Sequence, residues 1–138
     1  MDNRTLRNIS VALILTHFIV SAIHGYAHTQ AQVALSALGQ IYVLVVIILA
    51  PLLGCALLYS RWQKTGALLT GLSLAGSFAF GLVNHFLLAG SDNVMEVHGE
   101  WHMLFMWTAA LLAVLELAGT LTAFWFYTSL SRSLQAKG

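Results

Sequence analysis

The sequence predicts an all-α fold, an integral membrane up-down-up-down four-helix bundle, and three observations predict it. The composition is too poor in charge to cover a surface in water. Four apolar stretches each have the length of a bilayer crossing. All Lys and Arg residues fall at the two termini or in the link between the second and third stretches, and so on one side.

The composition sets the class. Of 138 residues, 59% are hydrophobic and 8% are charged, whereas a soluble domain carries about 25% charged residues. Lipid must therefore solvate much of the surface. A net charge of +1 leaves no basic footprint for nucleic acid. The lone Cys55 excludes an internal disulfide and any Cys-rich zinc or iron–sulfur site.

A crossing helix needs about 20 mostly apolar residues. Stretches 8–29, 38–59, 65–88 and 100–127 meet that need and make up a single transmembrane domain over 1–138. Backbone polar groups must be satisfied inside lipid, so the stretches are helices. Links 30–37, 60–64 and 89–99 are short, which makes successive helices antiparallel. Arg4 and Arg7 precede the first helix, Arg61 and Lys64 separate the second and third, and Arg132 and Lys137 follow the fourth. Basic residues accumulate in cytoplasmic loops. Both termini are therefore expected in the cytoplasm, with the chain multi-pass in a cell inner membrane. The opposite face carries Asp92 and Glu96 instead. A cleaved signal peptide would also explain Arg4, Arg7 and the first apolar run, but His17 inside its core and the length of the run speak against it.

Single residues refine the helices. Pro51 and Gly54 inside the second predict a bend, and that helix, without any ionisable residue, reads as scaffold. Ser73, Ser77, Gly81 and His85 stand at steps of four and share one face of the third, where small residues allow close approach of a helix or a flat ligand. Tyr59, Trp62, Trp101, Trp107, Trp125 and Tyr127 lie near span ends, as an interfacial aromatic belt does.

Six histidines in so apolar a chain are the main functional signal. His17, His24 and His28 fall within roughly 20° of one another on the first helix at about 100° per residue. His85 lies near the exit of the third helix, and His98 and His102 at the entrance of the fourth. Three helices thus bring His24, His28, His85, His98 and His102 to one level near the non-cytoplasmic face. His17 lies roughly 16 Å deeper than His28. Glu116, the one acid well inside a span, follows His102 by about four turns on nearly the same face. Ionisable groups within a bilayer are costly and face the bundle interior, so His17 and Glu116 are candidates for proton transfer.

Neutral imidazole is the commonest metal-ligating side chain. His24, His28, His85 and His102 are candidates to bind haem b, held by histidines on facing helices. His24, His28, His85, His98 and His102, with Glu96 or Glu100, are candidates for a copper, zinc or iron ion. His98-Gly99-Glu100-Trp101-His102 differs in order from the HExxH zinc motif and is not read as a metalloprotease. Gly25, Gly81 and Gly99 beside histidines would let a porphyrin approach the backbone. The gross plan is similar to four-helix membrane b-type cytochromes in architecture only, and the cytoplasmic half offers no second histidine pair for a second haem.

The function expected from these residues is a membrane redox protein. Its histidine-ligated cofactor, haem b ahead of copper or iron, would exchange electrons with a quinol or a partner subunit. The alternative is a non-redox accessory subunit or small transporter that passes metal ions or protons through the cluster. A third possibility is an enzyme with metal-activated water or oxygen. The expected partners are the lipid bilayer, a quinone and other membrane subunits.

Overall fold

The computed structural model describes residues 1–135, with side chains as far as Arg132; Lys137 lies outside the described residues. The described chain is all-helical, with four helices: α1, Asn3–Gln30; α2, Ala37–Leu57; α3, Gln63–Leu87; and α4, His102–Gln135. All four are long and apolar enough to cross a membrane. Asp2 starts α1 by accepting the Thr5 backbone N–H at 2.7 Å, which satisfies one of the free donors of the first turn.

The helices alternate in direction, and two separate cores demonstrate it. At one end, Leu6 of α1, Leu58 just after α2, Ala67 of α3 and Phe126 of α4 pack together with Ile14. At the other, Ala27 of α1 packs on Phe105 and Ala109 of α4 and on Val94 and Val97 of the last loop. The first end also gathers the described basic residues. There Arg7 lies over the Tyr59 ring, Arg61 over Trp62 and Lys64 over Tyr127, at 4.8, 5.4 and 5.0 Å. Such stacking keeps a cation close to an aromatic face. The second end carries His24, His28, His85, His98 and His102.

The packing is uneven. Helix α4 runs against both α1 and α3, and α2 leans on α3 while meeting α1 chiefly through its 50–57 stretch. Glycines set the closeness of α2 and α3. A Cβ on Gly54 would stand 2.3 Å from Thr70 Oγ1, and one on Gly66 would stand 2.9 Å from the Gly54 carbonyl oxygen. This is the small-residue contact that membrane helices use in place of a hydrophobic driving force. Further along, α1 and α2 diverge and leave a cavity between them.

Two π-helical stretches flank that cavity. In α2, Val43–Leu49 is wound as a π-helix, and the Ala50 N–H bonds to Val45 O, five residues back. Pro51 follows directly. It lacks an N–H for the Ile47 carbonyl, so the wide winding falls where the sequence predicted a bend. In α3, Val83–Leu87 is likewise π-wound and contains His85. π-bulges inside α-helices are frequent at functional sites. Helix α2 is more than the scaffold its composition implied, because Val43, Ile47 and Ile48 of its π stretch line the cavity.

Candidate metal centre

The site is assembled by three local features. The Leu6, Ser10, Ile14, His17, His24 and Ala27 positions of α1 are buried, so the predicted histidine stripe faces inward. The π winding at the end of α3 turns His85 inward as well, leaving it 7% exposed. The loop 88–101 then folds back over this end. Val94 N–H bonds to His85 O at 2.9 Å, Asn93 Nδ2 donates to Leu88 O at 2.8 Å, and Met95 N–H bonds to Asn93 Oδ1 at 2.9 Å. These bonds carry Asp92 over the histidines.

One ring nitrogen each from His24, His28 and His85 lies within 4.8 Å of the others, and among the described residues this group could hold a metal ion. His24 Nε2 and His85 Nε2 are 3.2 Å apart. Nitrogens at about 2.0–2.1 Å from one tetrahedral ion stand about 3.3–3.4 Å apart, and ligands on opposite sides of an ion about 4.0–4.2 Å apart. The observed spacing is that of neighbouring tetrahedral ligands. Phe105 packs against all three rings, with centroids 4.8–5.5 Å away.

The hydrogen bonds around the rings fix which nitrogens are free. Thr108 Oγ1 donates to Leu104 O at 2.6 Å. It therefore accepts from His24 Nδ1 at 2.8 Å, and Nε2 of a neutral His24 keeps its lone pair. His85 Nδ1 faces Asp92 O at 3.0 Å and Asp92 Oδ1 at 3.2 Å, both acceptors, so its proton is also on Nδ1. Two Nε2 lone pairs thus meet at 3.2 Å with no proton of a neutral ring between them. A cation placed there removes the conflict. Metal-bound histidines commonly donate their other N–H to a carbonyl or carboxylate in this way.

His28 and Asp92 add to the case. His28 Nδ1 donates to Val33 O at 3.3 Å, and its Nε2 lies 3.3 Å from Asp92 Oδ1. Both Asp92 carboxylate oxygens are buried, yet neither accepts a hydrogen bond of good geometry. Buried charge without a partner is costly, and a cation at the centre supplies the missing countercharge.

The remaining histidines and acids fall elsewhere. Helix α4 starts at His102, so His98 lies in the preceding loop and the two do not share a helical face. His98 is exposed, as are Glu96 and Glu100, and none joins the group. His102 is half-buried and its Nδ1 donates to Val97 O, which ties down the loop. Deeper in the bundle His17 Nε2 and Glu116 Oε1 form a buried pair at 3.1 Å, with His17 1% and Glu116 3% exposed. Sequence reasoning did not single out Asp92 or Thr108 as partners of the centre. Asp92 sits in an irregular loop whose path no periodicity fixes. Thr108 carried a signal, as a polar residue in an apolar span, but its own helix offers it the Leu104 carbonyl and so a local explanation.

Comparison of the chain with protein-family models, with curated proteins and with solved structures returns no match. The functional reading therefore rests on the chemistry of the site.

A cavity of about 310 Å³ adjoins the centre. It is lined by His24, His28, His85 and Glu116 together with Ile47, Phe80 and Leu112. It is at the small end of the range for small-molecule sites, about 300–1,000 Å³.

Proposed function

We propose that this chain is a membrane metalloprotein whose His24–His28–His85 centre holds one copper, iron or zinc ion near the non-cytoplasmic face. The observation that carries this reading is the pair of Nε2 lone pairs 3.2 Å apart, each held free by a bond at the other nitrogen of its ring. Imidazole donors suit these metals. With copper or iron the ion is a redox centre that exchanges electrons with a quinol-class molecule or a partner subunit, and this is the reading we put first. Its support is the cavity, which offers a membrane-dissolved molecule a place beside the ligands. The same geometry favours an ion over haem b. The His24 and His85 rings meet edge to face with centroids 4.9 Å apart, whereas a haem requires a flat slot between opposed imidazoles.

The orientation with both termini in the cytoplasm is supported by Arg4, Arg7, Arg61, Lys64 and Arg132, which lie in or beside the links at one end of the bundle. A second reading, passage of protons or metal ions without redox chemistry, is favoured by the buried His17–Glu116 pair. That pair continues the polar trail from the centre toward the basic end.

Metal analysis and an optical spectrum of the purified full-length chain, before and after dithionite, test the reading. We expect a single bound ion per chain, lost in His24→Ala and in His85→Ala, and a spectrum that responds to reduction. An ion bound without any reducible signal moves the assignment to zinc and the second reading. A haem spectrum overturns the ion, and failure to bind any of the three metals at saturation overturns the metal centre itself.

A further inference from the structure

We infer that the cavity beside the centre is a binding site for a quinol-class molecule, a neutral hydroxylated aromatic ring with apolar substituents. The inference rests on the metal-centre reading for its purpose but not for its geometry. Three observations carry it.

The first is a buried acceptor aimed into the cavity. Glu116 is 3% exposed and lines it. Its Oε1 is taken by His17, while Oε2 receives no hydrogen bond and faces Gly81, whose missing side chain leaves the space open. A Cβ on Gly81 would stand 3.8 Å from both Glu116 Oε2 and His85 Cδ2. The carboxylate and the imidazole edge therefore border the same space beside Gly81. A hydroxyl donating to Oε2 would complete the hydrogen bonding of a carboxylate whose Oε1 alone is taken by His17.

The second is the charge and polarity of the lining. Among the described residues no Lys or Arg lines the cavity, which favours a neutral ligand. Its walls of Ile47, Phe80 and Leu112 suit an apolar flat body, and hydrogen-bonding groups are offered by Glu116, Asp92, Ser21, Ser77 and the histidines. An apolar ring that carries oxygen functions matches this lining.

The third is the way in. Gly25, Thr29 and Gln40 are exposed and also line the cavity, which places its mouth between the end of α1 and the start of α2. A Cβ on Gly25 would meet nothing within 4 Å. A volume of about 310 Å³ holds a substituted ring but no long chain. An apolar tail would therefore leave through the mouth, between α1 and α2.

Decylubiquinol and its quinone are the probes, bound to the purified full-length chain in lipid nanodiscs and followed by co-purification and by the rise in thermal stability. Two variants block the site without replacing a metal ligand: Gly25→Trp at the mouth and Gly81→Val inside, the latter against the His85 ring. A third, Glu116→Gln, keeps the shape and removes the carboxylate. We expect saturable binding to the parent chain and its loss in both blocked variants. Glu116→Gln should weaken the quinol about tenfold or more and the quinone much less, since only the quinol donates a proton. Bound metal should be unchanged in Gly25→Trp and Glu116→Gln, so that failure here is separate from failure of the metal centre. Absence of saturable binding to the parent chain overturns the inference. Undiminished binding in both blocked variants overturns it too. Equal weakening of quinol and quinone by Glu116→Gln overturns the role of the carboxylate. Slowed metal uptake with intact ring binding would make the cavity an ion route instead.

Discussion

Replacing Thr108 by Val changes no candidate ligand, yet it should weaken metal binding by one to two orders of magnitude. Thr108 Oγ1 holds the His24 Nδ1 proton at 2.8 Å while its own hydrogen is committed to Leu104 O at 2.6 Å. Val has nearly the same shape and no acceptor. His24, 6% exposed, then has two options. It can keep its Nδ1 proton unpaired, at a cost of about 1–3 kcal/mol for a buried donor. Otherwise it shifts the proton to Nε2, which faces His85 Nε2 and must lose it again when a metal binds. Either way the lone pair is less available, and about 1.4–2.7 kcal/mol corresponds to a 10–100-fold loss of affinity. Loss of an outer hydrogen-bond partner typically has that effect. Thr108→Ser keeps the acceptor and should bind nearly as the parent does. The assay is competition for Zn²⁺ or Cu²⁺ against a chelator of known affinity, with far-UV circular dichroism to confirm the helices. Equal affinities for Thr108→Val and the parent, alongside loss of binding in His24→Ala, would falsify the tautomer argument. So would an equal loss in Thr108→Ser.

Other predictions test the frame that holds the centre. Gly54→Ala should destabilise the bundle by about 1–3 kcal/mol, because its Cβ would overlap Thr70 Oγ1. Gly25→Ala meets open space and should instead stabilise α1 by about 0.5–1 kcal/mol; reversible unfolding in mixed detergent reads both, and equal effects would refute the close α2–α3 contact. A cysteine introduced at Ser91 should react with a membrane-impermeant maleimide from outside intact cells, and reaction only after permeabilisation would reverse the proposed orientation. The backbone N–H of Thr5 holds the Asp2 carboxyl below its usual range. This cap stabilises the start of α1 at pH above the ordinary value of 3.8 and is lost as pH falls through the lower folded value. Amide exchange in the first turn should therefore be faster in Asp2→Ala at pH 6 and match the parent chain under strong acid; a difference that persists in acid would refute it.

Much of the frame was legible before any coordinates. Apolar length and the alternation of basic links fixed four antiparallel helices, because a bilayer forces backbone polar groups into helical bonding. The helix ends were read to within a few residues except at the charged end of the bundle. There α1 begins at Asn3 rather than at 8, and α4 continues to Gln135 rather than stopping at 127. Charged and polar residues can prolong a helix beyond the lipid, where hydropathy gives no signal. The inward stripe of His17, His24 and His28 followed from helical spacing alone, as did the level shared with His85.

What the sequence by itself determined is the set of ionisable groups set within apolar helices and the end of the bundle at which most of the histidines gather. Helical periodicity and transfer cost act along each segment, so a single segment reveals them. Tertiary structure alone decided which of those groups meet. Loop 88–101 brings Asp92 onto His28 and His85 while leaving His98 exposed, because backbone and Asn93 bonds, not hydropathy, set its path. Thr108 reaches His24 across two helices, and Glu116 reaches His17 across 99 residues of chain. The opening between α1 and α2 belongs to the same class. It depends on π winding before Pro51 and on glycine contacts at Gly54, Gly66 and Gly76 that hold α2 against α3, and so on how helices lean against one another, which no single helix encodes.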